Sequence, residues 1–142
     1  MHDPRLEAAR VARLATTDPD GRQHLVPIVF ALDGDTLYSA VDAKPKRSRA
    51  LQRLENVRAH PEVAVLVDHY EDDWDELWWV RLEGRARVLD GDAEADRAIE
   101  LLRTKYAQYR DTPPRLPVLA IDVIRWSGWS STSRLAGRGR SG

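Results

Sequence analysis

The chain contains no cysteine. Disulfides, a thiol nucleophile and cysteine-ligated zinc or iron–sulfur centres are thereby excluded. Long apolar runs are also missing. None approaches the ~18 residues that span a bilayer, and the opening MHDPRLEAAR has no apolar signal core. The expectation is a cytoplasmic protein without a membrane segment. An excess of charge is absent too: the formal net charge is -1 and the sequence pI is about 6.4. The domain as a whole is therefore no electrostatic trap for nucleic acid. There is no GxGxxG, Walker A, GxSxG or zinc motif, and His2, His24, His60 and His69 lack metal-ligand spacing. Phenylalanine occurs once, and only three of the 22 basic residues are lysine.

What is present is a chain of 142 residues, 42% hydrophobic and 32% charged, which suits one globular domain with its own core. Residues 5–13 (RLEAARVAR) predict a short helix with Leu6, Ala9 and Val11 inward. RLATT, DPDG and RQHLVPIVFAL then read as strand, tight turn and strand. Pro27 interrupts the second of these, so an edge or a bulge is expected there. LDGD is a further turn and TLYSAV a third strand, followed by a helix over 46–58. VAVLVDH is a buried strand, YEDDWDE an acidic loop, and LWWVRLEGRARVLD a long strand bent near Gly84. Residues 93–110 predict the strongest helix, with Asp92 as its N-cap. DTPPRLP is a stiff linker, VLAIDVIRWSGW a last strand, and residues 131–142 have the composition of a disordered tail. The sum is a mainly β protein with helices: about six strands joined mostly by hairpins, hence a largely antiparallel sheet. A sheet of that size closes toward a barrel to remove its edges. Residues 1–130 form the domain.

Lys44, Lys46, Arg47, Arg49 and Arg53 crowd the approach to the helix over 46–58. A helix N-terminus disfavours cations unless an anion sits among them. The cluster is either a phosphate cradle or a solvated basic face. Trp78 and Trp79 are adjacent on a strand and so point to opposite faces. One can enter the core; the other meets a subunit interface or stacks on a planar ring. None of the four histidines reads as a catalytic residue; His69, beside Asp68 and Tyr70 at a strand end, is the best placed of them. The acidic residues 71–76 form a solvated loop rather than a divalent-cation site.

The stretch RVARLATTDPDGRQHLVPIVFALDGDTLYSAVDAKPKRSRALQRLENVRAHPEVAVLVDHY, with WWVRLEGRARVL and IRWSGW after it, resembles the flavin/deazaflavin oxidoreductase superfamily. These are split β-barrel proteins related to pyridoxamine 5′-phosphate oxidase. The resemblance spans residues 5–130 and is nearest to the actinobacterial branch assigned to coenzyme F420. It implies a six-stranded antiparallel split β-barrel and a homodimer with the cofactor in the groove between subunits. It places the cofactor phosphate at Lys44, Lys46, Arg47 and Arg49, with Arg47 at the position of the family's usual lysine. The ring would lie along Val26, Pro27, Ile28 and Val29. Tyr38, Ser39 and Val41 would lie near the phosphate and ribityl portion. Trp78, Trp79 and Arg81 would approach across the interface. The implied activity is F420-dependent hydride transfer to an unsaturated small molecule. FMN in the same groove and a non-catalytic cofactor- or haem-binding role are the alternatives. No catalytic side chain is implied, because the cofactor carries the hydride.

Overall fold

The computed structural model describes residues 3–41, 47–132 and 137–140, and the side chains of all of these except 47–50 and 137–140. Its elements are α1 (Pro4–Ala8), β1 (Ala12–Thr17), β2 (Gln23–Ile28), β3 (Ala31–Asp33), β4 (Thr36–Ala40), α2 (Arg47–Ala59), β5 (Glu62–His69), a 3₁₀ turn (Trp74–Glu76), β6 (Trp78–Leu89), α3 (Ala93–Lys105), α4 (Ala107–Asp111), β7 (Val118–Ser130) and β8 (Gly137–Arg140). Every strand pairing is antiparallel. Seven strands follow the path β2-β1-β5-β6-β7-β4-β3, and β8 pairs with β7. The sheet curls into a split barrel around Leu14, Ile28, Phe30, Leu37, Val65, Val67, Leu82 and Ile121.

The expected six strands are thus too few. The run RQHLVPIVFAL divides into β2 and β3 at Val29–Phe30, where the Val29 carbonyl accepts from Ser39 and the Phe30 N–H donates to Tyr106 instead of joining a ladder; Pro27 is tolerated within β2 because that strand takes the edge of the sheet. Gly137–Arg140, within the segment expected to be a disordered tail, pair with Arg125–Gly128. Backbone pairing needs no apolar side chain, so composition alone does not register such a strand. Residues 133–136, 141 and 142 lie outside the described residues.

The helices differ from expectation at their ends. α1 stops at Ala8, since Val11 leads into β1 instead. The helix expected over 93–110 breaks at Tyr106, whose backbone is extended. Asp92 caps α3 by accepting from Ala95 N–H at 2.8 Å. The bend at Gly84 is a bulge. Glu83 pairs with Arg125 but Gly84 pairs with Val123, leaving Ile124 as the extra residue of β7. A Cβ at Gly84 would lie 2.3 Å from the Asp122 carbonyl oxygen, so only glycine fits there.

The two faces of the sheet have different fates. α3 covers one part of the outer face, where Ala95 and Ala98 pack on Tyr38, Leu89, Val118 and Ala120. Tyr38 donates to Glu94 at 2.8 Å, and Arg87 grips the same carboxylate with two bonds of 2.9 Å while also meeting Asp122. The rest of the outer face is uncovered among the described residues. Leu25, Leu66, Ile124 and Trp129 are exposed there. Among the described residues no helix is long and apolar enough to cross a membrane.

Candidate functional site

The barrel is open between the end of β2 and the end of β4, and a hollow of about 390 Å³ occupies that gap. Pro27, Ile28 and Val29 form one wall and Ser39 with Ala40 another. Ser39 donates to the Val29 carbonyl at 2.8 Å, which fixes the two walls relative to one another. Tyr106, Gln108 and Tyr109 close the hollow from the α3–α4 break, and Arg53 of α2 adds a guanidinium. Its volume and its apolar and aromatic lining are those of a small-molecule site.

Lys105 sits behind this wall. Its Nζ lies 3.8 Å from the centre of the Phe30 ring and 5.4 Å from that of Tyr106, buried and without a hydrogen-bond acceptor among the described residues. Burial pushes its ammonium down to about 8, and the Arg10 guanidinium, 4.6 Å from the Tyr106 ring, adds to the effect.

A second hollow of about 670 Å³ lies between the β1–β2 hairpin and α2. Thr16, His24 and Val26 supply one side, and Gln52, Arg53 and Asn56 the other. Pro27 and Arg53 border both hollows. The polar groups of the second are ordered in a chain: Gln52 donates to Asn56 at 2.8 Å, and Asn56 donates to the Thr16 hydroxyl at 3.0 Å.

The residues singled out in the sequence are distributed as follows. Pro27, Ile28, Val29 and Ser39 line the first hollow, and Val26 with Pro27 the second. Tyr38 and Val41 line neither. Tyr38 points to α3, and its phenol is pushed up to about 12 by burial and then by Glu94. Val41 is buried in the barrel core, its N–H donating to the Pro117 carbonyl at 3.2 Å. Lys44 and Lys46 lie outside the described residues; Arg47 and Arg49 fall in the first turn of α2, and their side chains are also outside them. Trp78 packs on the core, with Arg5 4.7 Å above its ring and His69 stacked at 6.0 Å. Trp79 turns outward opposite Trp129, with the Arg81 guanidinium 5.7 Å from its ring. His69 also meets Glu71 at 3.1 Å. Among the described residues no three His, Asp or Glu side chains gather as a metal site.

Sequence reasoning missed Tyr106, Gln108, Tyr109, Thr16, Gln52 and Asn56. Tyr106 and Tyr109 fall within the helix expected over 93–110, and only the break at Tyr106 turns them toward the gap. His24 had a readable signal: the hairpin register sets it opposite Thr16, beside the turn carboxylate of Asp18.

A curled antiparallel sheet with a ligand-sized hollow at its open seam defines a split-barrel protein. The chain belongs to the pyridoxamine 5′-phosphate oxidase family, whose model matches residues 2–130. No curated protein matches it. Among solved structures it is similar to a conserved hypothetical protein of Mycobacterium tuberculosis, with a TM-score of 0.72 and 20% identity over 100% of this chain and 93% of that one. A FAD-binding protein of Mesorhizobium loti has a TM-score of 0.64 and 26% identity over 87% of each chain. A heme binding protein of Mycobacterium smegmatis has a TM-score of 0.72 and 16% identity over 99% of this chain and 59% of that one.

Proposed function

We propose that the protein is an F420-dependent oxidoreductase that reduces an unsaturated small molecule. The observation that carries this reading is the first hollow: the end of the edge strand, Pro27 and Ile28, and Val29 just after it run along the hollow, beside the helix that follows the basic segment. A flat tricyclic ring fits walls made of strand backbone, Tyr106 and Tyr109. Arg53, together with Lys44, Lys46, Arg47 and Arg49 just before it in sequence, supplies cations for a phosphate and for the carboxylates of the cofactor's longer tail. When bound, the deazaflavin supplies the hydride. The chain's own residues hold the ring against the edge strand, keep one side of it apolar and neutralise its anionic end.

The site is completed by a second copy of the chain. Pro27 pairs with Arg13, Arg13 with Leu66, and Leu66 with Arg81, so the wall of the hollow is continuous with the uncovered outer face. A self-complementary interface there covers Leu25, Leu66 and Trp129 and brings Trp79 and Arg81 toward the partner's groove.

FMN in the same groove is the second reading, favoured by the Mesorhizobium loti FAD-binding relative. Equilibrium dialysis of F420 and FMN against the purified protein tests both. F420 is expected to bind more tightly, with the gap narrowing as salt rises. Replacing Lys46 and Arg47 together by alanine is expected to weaken F420 at least tenfold, since each charge-assisted bond contributes about 1.5–3 kcal/mol. Tighter FMN binding selects the second reading. Failure of both cofactors to bind, or a haem Soret band in their place, overturns the proposal.

A further inference from the structure

The second hollow contains a histidine for which the cofactor chemistry has no use. Thr16 and His24 are register partners on β1 and β2, and Asp18 lies in the turn just beyond Thr16. Asp18 Oδ1 accepts from Asp20 N–H at 2.9 Å and Arg22 N–H at 2.8 Å, which leaves Oδ2 to meet His24 Nε2 at 3.0 Å. The His24 bond, then the Arg22 amide, hold this carboxyl below the usual range, so it is a fixed anion. A carboxylate only accepts, so the proton of neutral His24 sits on Nε2 and Nδ1 keeps its lone pair. Nδ1 has no hydrogen-bond partner among the described residues. The imidazole side chain is 38% exposed and lines the hollow. Asp18 and Arg53 are the charged groups that flank it; the other walls are Thr16, Val26, Pro27, Gln52 and Asn56. Because Thr16 Oγ already accepts from Asn56, its own proton is available as a second donor.

We propose that the His24–Asp18 pair makes this hollow an acid–base subsite for the oxygen of an enol or phenol. The pair resembles the orienting arrangement of a carboxylate, an imidazole and a reacting oxygen, in which the carboxylate fixes the tautomer and stabilises the imidazolium. Its place beside the first hollow gives it a role that rests on the hydride-transfer reading. When a carbonyl-conjugated double bond takes a hydride at its β-carbon, the π electrons move to oxygen and an enolate forms. Protonated His24 then gives its Nδ1 proton to that oxygen and returns to the neutral Nε2–H form. Solvent restores the proton, and the reduced deazaflavin or flavin that gave the hydride is left oxidised.

The test uses no cofactor. 4-Nitrophenol, an enolate mimic, is titrated into the protein and followed by its visible absorbance. Binding as the phenolate is expected, weakened tenfold or more by His24→Gln. Nitrogen-15 NMR at pH 9 reads the tautomer of His24 in the unaltered protein. Nε2–H is expected, and Asp18→Asn, which keeps the turn bonds through Oδ1 but presents a donor to the ring, is expected to move the proton to Nδ1. No phenolate binding, a loss under tenfold in His24→Gln, or an Nδ1–H imidazole in the unaltered protein overturns the subsite. If the subsite stands while F420 and FMN both fail to bind, only its role in hydride transfer falls.

Discussion

The Tyr106 hydroxyl and the backbone of Phe30 hold each other from both sides. The phenol oxygen accepts from Phe30 N–H at 3.1 Å and lies 3.1 Å from the Phe30 carbonyl. It also reaches the Arg10 carbonyl at 2.9 Å, so its single proton is shared between two acceptors. This one oxygen ties the α3–α4 break to the loop after β2 and to the segment before β1. Tyr106→Phe leaves the Phe30 amide without its partner. The expected cost is about 1–3 kcal/mol, read as a lower urea midpoint at unchanged slope. An unchanged midpoint would mean that the bridge contributes nothing to the fold.

Lys105 gives the opposite kind of prediction. Its folded pKa of about 8 lies below the ordinary 10.5, so the folded state carries a disfavoured charge below pH 8. Stability from this group rises as pH goes from 8 to 10.5, because the unfolded chain binds more protons in that window. Lys105→Met is expected to stabilise the protein at pH 7 by about 1–2 kcal/mol, a figure discounted for partial exposure, and to abolish the rise. Destabilisation at pH 7 would show that the contacts with Phe30 and Tyr106 outweigh burial.

Glu94 sets an acid limit. Its two bonds from Arg87, and then the one from Tyr38, hold its carboxyl down at about 2, against an ordinary 4.5. The stabilisation is present above pH 4.5 and is lost as pH falls from 4.5 to 2. In Glu94→Gln that loss should vanish, so urea midpoints of parent and variant converge toward pH 2. A constant gap over that range would place the effect in packing and not in charge.

The uncovered sheet face predicts the oligomeric state. Leu25 is 69% exposed on the edge strand. Leu25→Asp would put a charge into a dimer interface, and sedimentation should show a dimer become a monomer with unchanged circular dichroism. A parent protein that sediments as a monomer at micromolar concentration removes the second-copy argument.

Which parts were legible in the sequence follows from how local their causes are. Asp92 as a cap, Pro27 at an edge and the bend at Gly84 each depend on one residue's own chemistry, and each is where it was expected. Val26 to Val29 border the hollows because an edge strand at the open seam has nowhere else to run. The adjacent tryptophans part to opposite faces by strand geometry alone. Less local causes were not legible. Tyr38 turns to α3 because Glu94, 56 residues away, accepts its proton. The break at Tyr106 depends on Phe30 and Arg10. β8 depends on what lies beside it rather than on its own glycines and arginines.

The extra residue of β7 reads the strand in two frames. Up to Val123 the odd-numbered residues 119, 121 and 123 fill the barrel; from Trp126 on, the inward set is even-numbered. The two halves agree only because Ile124 is inserted between them. Changing its side chain disturbs a half-exposed position. Deleting it would turn one half of the strand inside out, carrying Trp126 to solvent or Leu119 and Ile121 with it. At this position the fold tolerates spelling changes but not a lost letter.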